Sequence, residues 1–191
     1  MSRRKPDKGG FVSRGGRKLD HALDAFGIDI AGLTCADFGC STGGFTDCLL
    51  QRGAARVFAV DTGYGVLDWK LRNDERVTVM ERTNALHVEL PEPVDLITID
   101  ASWTRQRLIL ATAARNLTAS GQVVTLVKPH YEADKSLLFK GRLPEAHLDQ
   151  VLTAVREDVA GAGFTIIGET PSPITGGSGG NVEHFLACRL T

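Results

Sequence analysis

What this sequence has little of already excludes several kinds of protein. No apolar run approaches the ~20 residues needed to cross a bilayer, and no segment carries the cationic amphipathic pattern of a membrane-active helix. The opening MSRRKPDKGG lacks the apolar core of a secretory signal, so the expected location is cytoplasmic, with no membrane partner. Only four cysteines occur. Cys35, Cys40, Cys48 and Cys188 form no Cys-x-x-Cys pair, and three of them fall inside one short unit. Reduced thiols are expected, with neither a disulfide framework nor a zinc site. No His/Cys cluster is present, so no metal is expected. Internal repeats and a second core pattern are missing as well. A chain of 191 residues, 42% hydrophobic and 24% charged, reads as one ordinary globular domain.

The formal net charge of −1 hides an asymmetry. Residues 1–18 hold Arg3, Arg4, Lys5, Lys8, Arg14, Arg17 and Lys18 against Asp7, a net of +6, which leaves −7 for the rest. Residues 1–12, with Pro6, Gly9 and Gly10 among the charges, are expected to be a flexible basic arm on a folded domain 13–191. A basic arm on an acidic body is a footprint for nucleic acid; a merely solvated tail is the plain alternative.

The chain is organised around residues 33–50, LTCADFGCSTGGFTDCLL. An apolar run ends in an acidic, Gly-rich turn, and a helical segment follows at once. That is how a Rossmann-type sheet opens its cofactor crevice. Gly39, Gly43 and Gly44 permit close backbone approach. A dinucleotide loop wants Gly-x-Gly-x-x-Gly, whereas here the middle position is Ser41. Asp37 also puts a negative charge where phosphates would lie and suits a ligand with an ammonium group, as in S-adenosylmethionine. About twenty residues on, VFAVD ends in Asp61, placed for ribose hydroxyls. Asp61 alone does not separate this cofactor from NAD.

Spacing predicts a helix over 16–26, with Leu19, Ala22, Leu23 and Phe26 on one face and Lys18 just off it. Strands are expected at 33–38, 56–60, 77–80, 94–99, 122–127, 164–168 and 182–190. Helices are expected at 44–52, 67–71, 103–117 and 144–162, with a long loop over 130–143. A Gly-rich connection, PSPITGGSGGN, joins the last two strands and should be mobile. The fold class is therefore α/β: a Rossmann-like, seven-stranded, mostly parallel sheet with helices on both faces, closed by a C-terminal antiparallel hairpin. This is the class I methyltransferase architecture.

Ligands of such sheets bind beyond the carboxyl ends of the strands. Asp37, Asp61, Asp100 and Lys128 all fall at those ends. Asp37 and Asp61 suit the cofactor, while Asp100 and Lys128 would face the substrate. Methyl transfer from a sulfonium to a ribose hydroxyl needs alignment and a base, a task that lysine can perform. The plain alternatives are a surface lysine at a strand end and a helix-capping aspartate.

Several longer motifs, SRGGRKL, DFGCSTGGFTDCLL, AVDTGYGVLDWKLRND, MERTNA, TIDASW, LVKPHYEA and GNVEHFLA, resemble the FtsJ-like ribose 2′-O-methyltransferases, in particular their haemolysin A-type (TlyA-like) rRNA branch. The resemblance covers residues 11–191. It implies an S-adenosylmethionine-dependent enzyme acting on RNA, with a Lys-Asp-Lys-Glu tetrad at Lys18, Asp100, Lys128 and Glu183. Lys128 would be the base, Lys18 and Asp100 would tune it, and Glu183 would position the site. It also implies that Thr42, Phe45, Thr83, Asn84 and Asp100 join Asp37, Gly39, Ser41, Gly43, Gly44 and Asp61 around the cofactor. Two departures stand out. The family's N-terminal RNA-binding domain has no counterpart here, which leaves docking to the basic arm or a partner subunit. The family's Ser-Phe after the tetrad aspartate is replaced by Ser102 and the segment 103–107, where Arg105 and Arg107 either contact phosphates or begin a solvated helix. Tyr64, Trp69 and Tyr131 are candidates for stacking on a base or on adenine. Competing readings are a non-catalytic RNA- or cofactor-binding module, which would not need the tetrad, and a methyltransferase for a non-RNA substrate. The roles of His130 and Tyr131, beside Lys128, stay open.

Overall fold

The protein was analysed as a computed structural model that describes residues 10–176 and 180–191. Most of the expected arm and the centre of the Gly-rich connection therefore lie outside the described residues. Where the arm meets the domain, Phe11 is buried and the Val12 amide donates to Asp47 Oδ2 at 2.8 Å, so packed structure starts before residue 13.

Helix α1 (Arg14–Phe26) is N-capped by Ser13, whose Oγ accepts from the Gly15 amide, and is closed by Gly27 in a left-handed conformation. Strand β1 (Thr34–Phe38), helix α2 (Gly44–Gln51), strand β2 (Arg56–Val60), the short α3 (Trp69–Arg72) and strand β3 (Val77–Met80) follow. Next come β4 (Val94–Ile99), α4 (Gln106–Asn116), β5 (Leu117–Val127), a single turn α5 (Pro129–Glu132), α6 (Leu148–Gly161), β6 (Phe164–Pro171) and β7 (His184–Leu190). Among the described residues these strands form one sheet in the order β3-β2-β1-β4-β5-β7-β6. β1 is parallel to both β2 and β4, whereas β7 is antiparallel to β5 and β6. Strand order reverses between β1 and β4, and the crevice of such a sheet opens at that switch point.

Side chains alternate between two cores, because successive residues of a strand point to opposite faces. Leu96, Phe185 and Ala187 join the core beneath α1 and α2. Ile97, Ile99, Leu186 and Cys188 join the one beneath α4 and α6. Each fully buried aliphatic or aromatic side chain contributes roughly 1.5–3 kcal/mol. All four cysteines are buried free thiols, and burial pushes Cys35, Cys48 and Cys188 up to about 12.

Several boundaries depart from the sequence expectation: α1 begins at Arg14, α3 spans Trp69–Arg72, β6 runs on to Pro171 and β7 begins at His184. Helix α4 begins at Gln106 rather than at residue 103, because Trp103 takes a φ of +63°, which a right-handed helix cannot contain. Strand β5 begins at Leu117, directly at the end of α4, and its pairing with β4 shifts register between Leu117, which faces Val94, and Gln122, which faces Leu96. Pro144 precedes a 3-10 turn (Glu145–His147), and α6 starts only at Leu148.

The helix ends that form the crevice are set by one close approach. A Cβ on Gly44 would lie 2.3 Å from Ser13 Oγ, 2.8 Å from the Gly16 amide nitrogen and 3.0 Å from Gly15 Cα. Only a residue without a side chain lets the N-termini of α1 and α2 touch. Gly44→Ala should therefore cost about 1–3 kcal/mol, read as a lower denaturant midpoint. Ser13→Gly in the same chain should recover part of that loss.

Candidate active site

Beyond the β1 and β4 ends lies a cleft of about 550 Å³, within the usual range for small-ligand sites. Its two ends differ in chemistry.

The first end is built from the turn after β1. Gly39 has a φ of +86°, and a Cβ there would meet the Asp100 carbonyl oxygen at 2.9 Å, so the turn lies against the end of β4. The Gly39 and Cys40 amides donate to the Val60 carbonyl, which ties the turn to β2. Ser41, itself left-handed, donates its amide to Asp61 Oδ2 at 2.8 Å. The other Asp61 oxygen accepts from the Gly63 amide at 2.7 Å. Gly39, Ser41, Thr42, Gly44 and Phe45 line the cleft. Gly43 is buried at the start of α2. Asp61, Thr83 and Asn84, which follow β2 and β3, are not among the residues that line the cleft. The Thr83 amide donates to the Asp61 carbonyl, and Asn84 caps the following turn through the Leu86 amide.

Asp37 corrects the sequence reading. Its carboxyl does not face the cleft. It is fully buried, where Oδ2 accepts from the Thr46 amide (2.9 Å) and hydroxyl (2.7 Å) and Oδ1 from the Thr98 hydroxyl (3.3 Å). Thr46 and Thr98, which sequence reasoning missed, thereby pin α2 and β4 to β1. Burial, outweighing these hydrogen bonds, raises the Asp37 carboxyl to about 7.

The second end holds the four tetrad residues, brought together from α1 and from the ends of three adjacent strands. All four line the cleft. Lys128 Nζ lies 2.6 Å from Asp100 Oδ1 and donates to Ser102 Oγ at 3.2 Å. Lys18 forms an ion pair with Glu183, with both side chains almost wholly removed from water. Lys18 is thus buried among the face that was expected to exclude it. The β5–β7 register pairs Val127 with His184, so one step further Lys128 stands opposite Glu183. Among the described residues no group of His, Cys, Asp or Glu is arranged to hold a metal ion.

An aromatic wall closes this end. Trp103 stacks on Tyr131 with centroids 4.5 Å apart, and Tyr131 on His130 at 4.1 Å. Trp103 is 83% exposed despite its size. Burial and the Lys128 charge depress the His130 pKa, favouring a neutral imidazole. Of the expected stacking candidates, only Tyr131 lines the cleft; Tyr64 and Trp69 are exposed elsewhere on the surface. Arg107 is solvated, and Arg105 approaches Asp134 at 3.9 Å. Trp103 had no signal beyond its position after Asp100. Asn181, a further cleft residue, was hidden in the Gly-rich connection.

The folded protein holds the Asp37 proton more tightly than the unfolded chain does. Its contribution to stability is therefore greatest below about pH 4 and declines as pH rises toward 7, by on the order of 1 kcal/mol per unit. Asp37→Asn keeps an acceptor for Thr46 without the charge. Its unfolding midpoint should hold between pH 5 and 7, where the wild type declines; parallel curves would refute the shifted carboxyl.

Comparison with known proteins agrees with this geometry. The family model described as FtsJ-like methyltransferase matches residues 11–190. The 16S/23S rRNA (cytidine-2′-O)-methyltransferase TlyA of Mycobacterium tuberculosis is 44% identical over 186 residues, spanning 94% of this chain and 68% of TlyA. Hemolysin A of Brachyspira hyodysenteriae is 37% identical over 188 residues, with 92% of this chain and 77% of that protein covered. A solved structure of a protein assigned as a hemolysin from Streptococcus thermophilus superposes with a TM-score of 0.93 at 40% identity, over 98% of this chain and 70% of that one. The chain belongs to the FtsJ-like methyltransferases, S-adenosylmethionine-dependent enzymes, and within them to the TlyA-like branch.

Proposed function

We propose that the protein methylates a ribose 2′-hydroxyl of RNA, with ribosomal RNA as the target and Lys128 as general base. The observation that carries this reading is the convergence of Lys18, Asp100, Lys128 and Glu183 at one end of a cleft whose other end is a glycine-rich turn. The activity for which TlyA is named, 2′-O-methylation of cytidine in rRNA, supports the same class of substrate.

The glycine turn has the form needed for a cofactor pressed against backbone, since a Cβ at Gly39 would already collide with β4. Gly39, Ser41, Thr42, Gly43, Gly44 and Phe45 would hold the methionine part of S-adenosylmethionine. Asp61, with Thr83 and Asn84 beside it, would hold the ribose and adenine part. When bound, the cofactor would supply an electrophilic methyl group, its sulfonium leaving as a neutral thioether. At the tetrad end, Lys128 Nζ would accept the proton of the reacting 2′-hydroxyl. Asp100, 2.6 Å away, holds the resulting ammonium in place. Glu183 balances the charge of Lys18, so a second cation stands at the site without a net excess. The Trp103–Tyr131 stack offers a face for the base of the target nucleotide. RNA capture falls to the basic N-terminal residues or to a partner subunit, and the enzyme works in the cytoplasm with its ribosomal substrate.

Methyl incorporation from labelled cofactor into ribosomal subunits, free rRNA and total small RNA tests this reading. Lys128→Ala should lose about 10²-fold or more of the rate while calorimetry shows unchanged cofactor affinity. Wild-type rates in that variant would remove Lys128 as the base. Tight cofactor binding with no incorporation into any RNA would overturn the substrate class.

A further inference from the structure

Beside the tetrad, the loop after α5 makes a two-residue hairpin. Phe139 and Arg142 exchange both backbone hydrogen bonds, at 2.8 and 3.0 Å, around Lys140 and Gly141. Both central residues have positive φ, +50° and +77°, as in the primed turns that make tight hairpins. Such a φ is ordinary for Gly141 and uncommon for Lys140, so the tip keeps a conformation that its own side chain disfavours. The hairpin is braced at its base. Asn181 accepts from the Leu143 amide at 3.2 Å and donates to the Gly141 carbonyl at 3.3 Å, joining the hairpin to the segment that carries Glu183. Gly141 and Asn181 both line the cleft.

The hairpin presents a large apolar ring to solvent. Phe139 is 68% exposed, with Lys140 Nζ 5.4 Å from its centroid. Lys140 and Arg142 are exposed too, and neither has a carboxylate partner among the described residues. Two uncompensated cations flanking an exposed aromatic ring, on a body that is otherwise acidic, match a stacked base between phosphates. A nucleotide seated at Lys128 would have to leave its neighbours at the cleft mouth. We propose that the 139–142 hairpin binds the single-stranded RNA next to the target nucleotide, with Phe139 stacking on a base and Lys140 and Arg142 contacting phosphates. This rests on the RNA-methyltransferase reading above and adds a contact outside the catalytic cleft. The braced turn lowers the backbone ordering cost at binding.

The test measures rRNA affinity against salt, cofactor affinity and methyl incorporation for the wild type, Phe139→Ala, Phe139→Tyr and Lys140→Gln/Arg142→Gln. Phe139→Ala should weaken RNA binding about tenfold, Phe139→Tyr should restore it, and both should bind cofactor normally. The double variant should flatten the salt slope by about 0.7 per lost phosphate contact. Should the wild type bind and methylate RNA while these variants match it in affinity and slope, the hairpin contact is refuted and the methyltransferase reading stands. A wild type that neither binds nor methylates any RNA overturns both.

Discussion

Lys18 and Glu183 lie 165 positions apart in the chain, yet they meet as an ion pair with side chains only 6% and 3% exposed. Burying either charge alone costs several kcal/mol, and that cost is offset only when the other arrives with good geometry. The pair therefore constrains a large part of the molecule. Helix α1 must dock with its N-terminus at the cleft, which the contact between Gly44 and the Ser13–Gly16 turn permits. Strand β7 must insert between β5 and β6, which brings Glu183 opposite Lys128. An arrangement that failed either condition would strand a charge in the interior.

The cleft that results has two physically different ends. One is a glycine-rich turn that lies against β4, its amides bonded to Asp61 and to the Val60 carbonyl. Its rigidity comes from Asp37, buried and held by Thr46 and Thr98. The other end is charged, where Asp100 and Lys128 follow the ends of neighbouring strands with fixed spacing. Parallel pairing of β4 with β5 aligns their carboxyl ends, so those two side chains emerge together.

Backbone strain collects on the same rim. The non-glycine residues with positive φ among the described residues are Ser41, Arg82, Trp103 and Lys140, and each follows the carboxyl end of a strand or the turn beyond it. Each conformation costs roughly 1–3 kcal/mol and persists because its surroundings impose it. Ser41 is held by Asp61, Arg82 lies over the Tyr64 ring, Trp103 over Tyr131, and Lys140 is closed within its hairpin. Rigid strands thus present strained, ligand-facing loops, while the opposite edge carries none of these positions.

Local pattern in the chain determined the strands, the glycine turn and the identity of the family. Strands β2, β3 and β4 fall at the expected residues because unbroken apolar runs between turn signals depend on neighbouring residues alone. The tetrad came from the family resemblance of the motifs instead, since neither Lys18 nor Glu183 stands out by its neighbours in sequence. Tertiary structure alone decided which way charged side chains face. Asp37 lies near the end of an apolar strand in a motif that suits a ligand, but two threonines distant from it or hidden in the next helix turn it inward. Lys18 is one position off an apolar stripe and is buried because Glu183 awaits it there. The Trp103–Tyr131 stack and the Asn181 brace likewise depend on which loops the sheet order brings together. Burial and pairing are properties of neighbours in space, and for a charged side chain they outweigh anything the adjacent sequence can specify.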